Sequence, residues 1–274
     1  MPELPEVQTV LTTLKPRILG VRIEGVEVFL EKIIKSPGPK EFVALIKERS
    51  ITGLARRGKY LLLELDASYL LAIHLRMTGQ LVYSRSDKPR DRHTHLVFYL
   101  SDGAELRFQD MRQFGTMNLM LLGQLDLFCS QKGLGPDALD PALTRELFKQ
   151  RIGDRRGQIK PLLLDQSLVA GIGNIYANEI LWRARIHPER PVSSLTPGEL
   201  AKLYQAMRQV LTEAVEHRGT TLRDYVDGDG NPGDFQSLLA VHGREGEPCP
   251  QCGQKIARMK TGGRSSFVCT RCQE

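Results

Sequence analysis

The chain has 274 residues, of which 41% are hydrophobic and 26% charged. This length allows more than one domain, and this composition is ordinary for a globular protein. A disulfide-stabilised mini-protein is therefore excluded, and no stretch reaches the roughly 20 apolar residues that a membrane-spanning helix needs. The 38 basic and 32 acidic residues give a net charge of +6, which favours a polyanionic partner such as nucleic acid.

The N-terminal half is predicted to be a helix followed by a β-sheet. MPELPEVQTV has two acidic residues and no basic segment, which excludes a signal peptide and predicts a cytoplasmic protein. Apolar residues at helical spacing predict a helix over residues 5–15. From Arg22 to about Leu122 short alternating runs predict strands, with Ser-Asp-Gly at 101–103 as a hairpin turn. An antiparallel sandwich or barrel with a leading helix fits this pattern.

The second half has helical periodicity. Asp140 and Pro141 are predicted to start one helix, and the capping box from Thr196 to Glu199 starts a long helix that ends at Gly219. Between them, QIKPLLLDQ and NIYANEILWRA are predicted to form two short helices joined by SLVAGIG. We expect helical structure until about Val226, followed by the loop DGDGNPGD.

Four of the five cysteines lie near the end of the chain, in the pattern of a zinc ribbon. The pairs Cys249/Cys252 and Cys269/Cys272 are C-x-x-C knuckles separated by sixteen residues, which is the spacing of one structural Zn²⁺ site with four thiolates. The alternative is a coincidence of two reduced pairs. Cys129 stands outside this set as a buried or incidental thiol.

Two further motifs are suited to binding phosphate. Two glycines precede Arg264 and predict a hairpin tip that would push its guanidinium out into a groove, where it could meet phosphate or a base. A solvated turn arginine is the alternative. Gly171, Gly173 and Asn174 precede a helix, where free backbone N–H groups bind anions. A tight helical turn explains that second motif equally well.

The N-terminus offers a nucleophile. Removal of Met1, which a small second residue favours, would leave the secondary amine of Pro2 as the chain terminus. An α-amino group titrates near pH 8, so a useful fraction is uncharged at neutral pH and can attack an aldehyde or a sugar C1′ to form an iminium ion. Glu3 could donate or shuttle the proton. The alternative is an ordinary proline near a helix start.

Six motifs in one order resemble the formamidopyrimidine-DNA glycosylase family over nearly the whole chain. They are PELPEV at 2–7, RRGKYLLLEL at 56–65, HLRMTG at 74–79, DMRQFGT at 110–116, the IKPLLLDQ…GIGNIYANE block and the terminal zinc ribbon. The chain is similar to the bacterial 8-oxoguanine branch, because endonuclease VIII enzymes typically carry glycine in place of Leu4.

This resemblance implies roles for matching residues. Pro2 would be the Schiff-base nucleophile, Glu3 the acid that helps to open the sugar ring, Lys59 a proton-transfer residue near the deoxyribose, and Arg264 a phosphate contact that assists elimination. Residues 219–225 correspond to a loop that closes over the oxidised purine. By the same resemblance, Met77, Arg112 and Phe114 would fill the gap that the extruded nucleotide leaves, with Arg112 bonded to the orphaned cytosine. The residues that would contact DNA phosphates are His93, Arg155, Lys160 and Asn174. Those implied in the lesion loop are Thr220, Thr221, Arg223 and Tyr225.

Four positions depart from the family pattern. Gln8 stands where glutamate is usual, and Gln113 stands where a basic residue usually follows Arg112. Thr78 stands where some relatives carry glutamate, and Thr220 where some carry serine. These differences concern base recognition and one phosphate contact, and leave the reaction class unchanged.

The sequence therefore predicts a multidomain α+β protein. Its domains would be an N-terminal catalytic antiparallel β-sandwich with a leading helix (1–134), a helix-two-turns-helix DNA-binding domain (135–235) and a four-cysteine zinc finger (236–274). The predicted function is a bifunctional DNA glycosylase and abasic-site lyase of base excision repair, acting as a monomer on oxidised purines or abasic sites in double-stranded DNA, in the bacterial cytoplasm and at the nucleoid. The alternatives are a glycosylase for oxidised pyrimidines and a non-catalytic zinc-ribbon DNA-binding protein.

Overall fold

The computed structural model describes residues 1–274, which form two compact units. The first unit contains Met1–Lys132 and His217–Gln236, and the second contains Gly133–Glu216 and Ser237–Glu274. The chain therefore passes from one unit to the other three times. The three predicted domains, with boundaries at 134/135 and 235/236, stay a prediction. No helix has both the length and the apolar character that crossing a membrane requires.

The first unit is a β-sandwich with a leading helix, as predicted. Its elements are the helices α1 (Leu4–Ile18), α2 (Pro39–Ile46) and α3 (Leu125–Gln131) and the strands β1 (Arg22–Val28), β2 (Ile34–Ser36), β3 (Arg49–Arg57), β4 (Tyr60–Leu65), β5 (Tyr69–His74), β6 (Gly79–Arg85), β7 (Thr94–Leu100), β8 (Ala104–Asp110) and β9 (Thr116–Leu121). The strand order is β2-β9-β5-β4-β3-β1-β7-β8-β6, and only β2 and β9 run parallel. Two residue pairs alone join β1 to β3, so the strands separate there into two layers.

The core of this unit lies between the strand layers and α1. Val7, Val10 and Leu14 lie on one face of α1 and are fully buried in the same cluster as Phe98 and Phe108. Each such aliphatic side chain contributes about 1.5–3 kcal/mol on burial. The predicted helix over residues 5–15 is thus confirmed and begins at Leu4, which places residues 2 and 3 at its N-terminus.

One helix of this unit, α2, lies where the sequence predicted strands, and a second, α3, follows the predicted strand region. Pro39 starts α2, and Phe42 and Ile46, four residues apart, bury its inner face. The third helix, α3, follows β9 and buries Phe128 and Cys129. The predicted hairpin turn at 101–103 is confirmed, since it joins β7 to β8.

The second unit is helical and ends in a two-stranded hairpin. Its elements are α4 (Arg145–Gly153), α5 (Ile159–Leu164), α6 (Asn174–Ala184), α7 (Pro197–Glu216), β10 (Ala257–Thr261) and β11 (Arg264–Val268). The two short predicted helices are α5 and α6. The predicted capping box is also present, because Thr196 N–H donates to Glu199 and Glu199 N–H donates to the Thr196 hydroxyl.

Two helix ends predicted from the sequence are wrong. Helix α4 is predicted to begin at Asp140 but begins at Arg145. The Thr144 hydroxyl caps it there by accepting the Leu147 N–H (3.1 Å). Asp140 caps only a local turn, through the Ala142 N–H. Helix α7 ends at Glu216 rather than Gly219, and no helix lies between it and Val226.

Candidate active site and nucleic-acid interface

The N-terminus of α1 carries the predicted nucleophile and acid. Pro2 and Glu3 are buried, with Glu3 only 2% exposed. Glu3 N–H donates to Glu6 Oε2 (2.7 Å), and Thr220 N–H donates to the other oxygen of the same carboxylate (2.7 Å). Glu6 therefore fastens the chain start to the first residues of the predicted lesion loop. Its place three residues after Glu3, as in a capping box, is the signal that could have identified it.

Lys59 lies on the tight turn between β3 and β4. Gly58 adopts a positive φ of 56° there, and Arg56 donates to the Gly58 carbonyl (2.9 Å) and to Gln8 Oε1 (3.0 Å). Lys59 is 6% exposed. Burial, and then the nearby charges of Arg76 and Lys59, lower the pKa of His74 to about 3. His74 is therefore neutral at physiological pH, and Gln8 has a structural partner in Arg56.

The three residues predicted to fill the gap in DNA lie on two turns. Met77 is on the turn between β5 and β6 and is 38% exposed. Arg112 and Phe114 are on the turn between β8 and β9, and the Arg112 guanidinium lies over the Phe114 ring at 5.0 Å. Met111 on the same turn is also exposed, and sequence reasoning missed it.

His93 precedes β7 and is half-buried. Its N–H donates to Asp91 Oδ1 (2.7 Å), and its carbonyl accepts the Asp110 N–H (3.0 Å). These two hydrogen bonds fix the backbone of His93, the predicted phosphate contact, beside Asp110, where the Arg112 turn begins.

The predicted lesion loop is fixed at both ends. The Thr221 hydroxyl donates to the Tyr225 carbonyl (2.9 Å), and the buried Tyr225 hydroxyl donates to the Arg218 carbonyl (3.1 Å). Burial raises the pKa of Tyr225, so its hydroxyl stays protonated. Between these anchors Leu222 and Arg223 are exposed. The exposed middle of the loop is the part that can contact a ligand, and Leu222 was not predicted.

In the second unit, three predicted residues meet at one hairpin. Lys160 is fully buried, and its ammonium donates to the Ser265 carbonyl and the Ser266 hydroxyl (both 2.8 Å). Asn174, the first residue of α6, donates to the same Ser265 carbonyl (3.1 Å). Arg264 precedes that residue and is exposed. Arg155 is exposed and lies two residues after the end of α4.

The four predicted zinc ligands form one cluster. Their sulfur atoms all lie within 4.8 Å of one another, with Cys249 and Cys272 4.0 Å apart and Cys252 and Cys269 3.4 Å apart. A tetrahedral Zn²⁺ with Zn–S bonds of about 2.3 Å requires sulfur separations of about 3.8 Å. The residues therefore fit one structural zinc ion.

A buried carboxylate binds the chain segment that precedes the cysteine cluster. Glu179 of α6 accepts the backbone N–H groups of Ala240, Val241 and His242 at 2.8–3.1 Å. Burial raises the pKa of Glu179, against these hydrogen bonds, which lower it. Sequence reasoning missed this residue, because its partners lie about 60 positions away in the chain.

Three family models match the chain. They are the formamidopyrimidine-DNA glycosylase N-terminal domain at residues 1–117, the H2TH domain of the same enzymes at 134–226, and the zinc finger found in FPG and IleRS at 246–274. Together with the β-sandwich and the cysteine cluster, they define the class of protein: a DNA glycosylase with a helix-two-turns-helix domain and a zinc finger.

Relatives match over the full length. A formamidopyrimidine-DNA glycosylase of Pelotomaculum thermopropionicum is 53% identical and covers 100% of this chain and 99% of its own. The chain belongs to the formamidopyrimidine-DNA glycosylase family.

Solved structures of Lactococcus lactis FPG have the same fold. One of its point mutants, in complex with a Fapy-dG containing DNA, aligns with a TM-score of 0.94 at 35% identity over 100% of both chains. The complex of L. lactis FPG with abasic-site DNA aligns equally well, with 34% identity over 99% of both chains. A third complex contains an oxidised pyrimidine in DNA and has a TM-score of 0.93 at 34% identity over 100% of both chains.

Proposed function

We propose that this chain is a bifunctional DNA glycosylase and abasic-site lyase of base excision repair. Its substrates are 8-oxoguanine, formamidopyrimidines and abasic sites in double-stranded DNA. The observation that carries this proposal is the full-length similarity to formamidopyrimidine-DNA glycosylases, including one solved with Fapy-dG and abasic-site DNA. The protein acts as a monomer in the bacterial cytoplasm and at the nucleoid.

The reaction begins once Met1 has been removed. The Pro2 nitrogen forms a bond to C1′ while the bond from C1′ to the purine breaks. The base leaves with the bonding electrons and takes up a proton, which balances the proton that the Pro2 nitrogen loses. Glu3 protonates the sugar-ring oxygen and opens the ring to an iminium ion. Loss of a C2′ proton then expels the 3′ phosphate, and a second proton loss expels the 5′ phosphate.

The other predicted residues hold the DNA in the geometry that this chemistry needs. A glycosylase must extrude the target nucleotide from the stacked duplex. Met77 and Phe114 are exposed apolar side chains suited to filling the gap, and Arg112 can bond to the orphaned cytosine. Lys59 takes part in proton transfer, and Arg264 holds the flanking phosphates. The zinc ion has a structural role and maintains the Arg264 hairpin.

Borohydride trapping tests the nucleophile. We expect a stable adduct between the protein and lesion-containing DNA whose cross-linked peptide begins at Pro2, because borohydride reduces an iminium ion. A variant that retains Met1 has a blocked amine and an intact Lys59, so it should lose trapping and base excision while keeping DNA binding. An adduct mapped to Lys59, or undiminished strand cleavage by that variant, would remove Pro2 from the mechanism. Absence of any adduct would favour the non-catalytic DNA-binding alternative.

Oxidised pyrimidines are a second candidate substrate. The observation in their favour is the L. lactis FPG complex with an oxidised pyrimidine in DNA. Excision rates on otherwise identical 8-oxoguanine and thymine glycol duplexes separate the two. We expect 8-oxoguanine to be removed faster, and the opposite order would assign the chain to pyrimidine repair.

A further inference from the structure

The two turns that carry Met77, Arg112 and Phe114 are joined side by side. Strand β6 pairs with β8, and the register places Gly79, which follows the Met77 turn, opposite Asp110, which precedes the Arg112 turn. The first turn is closed by a hydrogen bond from Gly79 N–H to the Leu75 carbonyl (2.9 Å). A Cβ at Gly79 would lie 2.3 Å from that carbonyl oxygen, so only glycine fits there.

One hydroxyl group connects the two turns. Thr78 Oγ1 donates to Asp110 Oδ1 (2.5 Å) and accepts the Arg112 N–H (3.0 Å). The second oxygen of Asp110 accepts the Gly115 N–H (2.7 Å), and the Asp110 carbonyl accepts the Gln113 N–H (3.2 Å). Asp110 is only 1% exposed. Asp110 Oδ1 also accepts the Arg112 N–H (3.3 Å), so one carboxylate holds the Arg112 turn at both ends, and Thr78 attaches the Met77 turn to it.

A hydroxyl is the group that this position requires. An ionised carboxylate can only accept hydrogen bonds, so a donor from the neighbouring turn completes its pairing, while the Arg112 N–H, which lies 3.3 Å from Asp110 Oδ1, gains a closer acceptor at 3.0 Å. The threonine hydroxyl provides both at once. A hydrogen bond to a buried charged group is among the stronger ones in proteins, and loss of its donor leaves that group incompletely satisfied.

We propose that Thr78 is a positioning residue that makes the Met77 turn and the Arg112–Phe114 turn one preorganised unit for reading the base opposite the lesion. This proposal rests on the proposed function, in which these side chains enter the DNA gap. Thr78 itself does not touch the reacting atoms. A rigid unit does not have to be ordered when DNA binds. Removal of the Thr78 hydroxyl therefore weakens recognition of the opposite base and leaves the chemical step intact.

The test compares Thr78→Val, which keeps the shape and removes the hydroxyl, with Thr78→Ser, which keeps the hydroxyl. We expect Thr78→Val to reduce about tenfold the ratio of kcat/KM for 8-oxoguanine opposite cytosine to that opposite adenine, which is the effect of about 1.4 kcal/mol. The change should appear in KM, with kcat on a preformed abasic site unchanged. Thr78→Ser should behave like the unmodified protein.

A matched control removes a hydroxyl bond elsewhere. Thr12 in α1 is exposed and donates to the Gln8 carbonyl (2.9 Å), so Thr12→Val should leave the ratio unchanged. An unaltered ratio in Thr78→Val, or an equal loss in Thr78→Ser, would overturn the proposal.

Amide hydrogen exchange gives a readout that is independent of catalysis. Exchange at the Arg112 N–H should accelerate in Thr78→Val and stay slow in Thr78→Ser. If the unmodified protein neither excises 8-oxoguanine nor forms the borohydride adduct, the proposed function fails, and the exchange result still decides whether Thr78 fixes the turn. Unchanged protection at Arg112 in Thr78→Val overturns the positioning role regardless of activity.

Discussion

Lys160 is a charged residue in a fully buried position, at the base of the hairpin that carries Arg264. Its ammonium contacts the Ser265 carbonyl and the Ser266 hydroxyl. The resemblance to the family suggested a direct phosphate contact, which stays a prediction. Its burial favours an indirect role instead, in which Lys160 fixes the backbone beside Arg264. The two roles predict different effects of a Lys160 substitution on the salt dependence of DNA binding.

We expect Lys160→Met to weaken DNA binding without changing the slope of log K against log salt concentration, since no phosphate charge is lost. Arg155→Ala, at an exposed position, should reduce that slope by about one unit, because each phosphate contact releases about one counterion. Titrations at several salt concentrations measure both. An equal reduction of the slope in Lys160→Met would restore the direct phosphate contact.

Among the elements, those specified by neighbouring residues could be predicted from the sequence. The C-x-x-C knuckles, the Thr196 capping box and helices α1, α5 and α6 each depend on residues a few positions apart. Helix α2 could not be separated from the strands around it, because its eight residues contain only two turns of periodic pattern. The bonds of Glu6 to Thr220 and of Thr78 to Asp110 join residues 214 and 32 positions apart, which no local pattern reveals.

The cysteine cluster is the element whose removal has the clearest expected effect. Cys269→Ser should release the zinc ion and lower DNA affinity, because three thiolates cannot form the closed tetrahedral site that holds the hairpin of β10 and β11. Metal analysis and a binding titration measure the two effects. Cys129→Ser, which alters the one cysteine outside the cluster, is the matched control and should keep both metal and affinity. Full DNA binding by metal-free Cys269→Ser would contradict the structural role.

At the scale of the whole molecule, the first unit is discontinuous in sequence. Residues 217–236 return to it after the chain has built most of the second unit. Gly228 N–H donates to the Thr13 hydroxyl (2.9 Å), the Gly228 carbonyl accepts the Tyr83 N–H (2.8 Å), and Tyr225 is part of the apolar core. These residues, 217–236, which we call the returning segment, are therefore an integral part of the N-terminal sandwich.

A fragment of residues 1–134 should accordingly be less stable than the same sandwich with its returning segment. We expect residues 1–132 joined by a flexible linker to 217–236 to unfold cooperatively, and at a higher temperature than fragment 1–134, because the fusion restores the Glu6 and Thr13 contacts and the burial of Tyr225. Thermal unfolding followed by circular dichroism compares the two. Equal melting temperatures would show that the returning segment does not stabilise the sandwich.

The returning segment also sets the order in which the protein can mature during translation. Synthesis proceeds from the N-terminus at about 5–20 residues per second, so the sandwich acquires its full set of contacts only after residue 236 has left the ribosome. Until then the surface of α1 that Gly228 and Tyr225 cover stays accessible to chaperones and proteases. The N-terminal unit thus begins to fold first, but it is complete only when most of the chain has been synthesised.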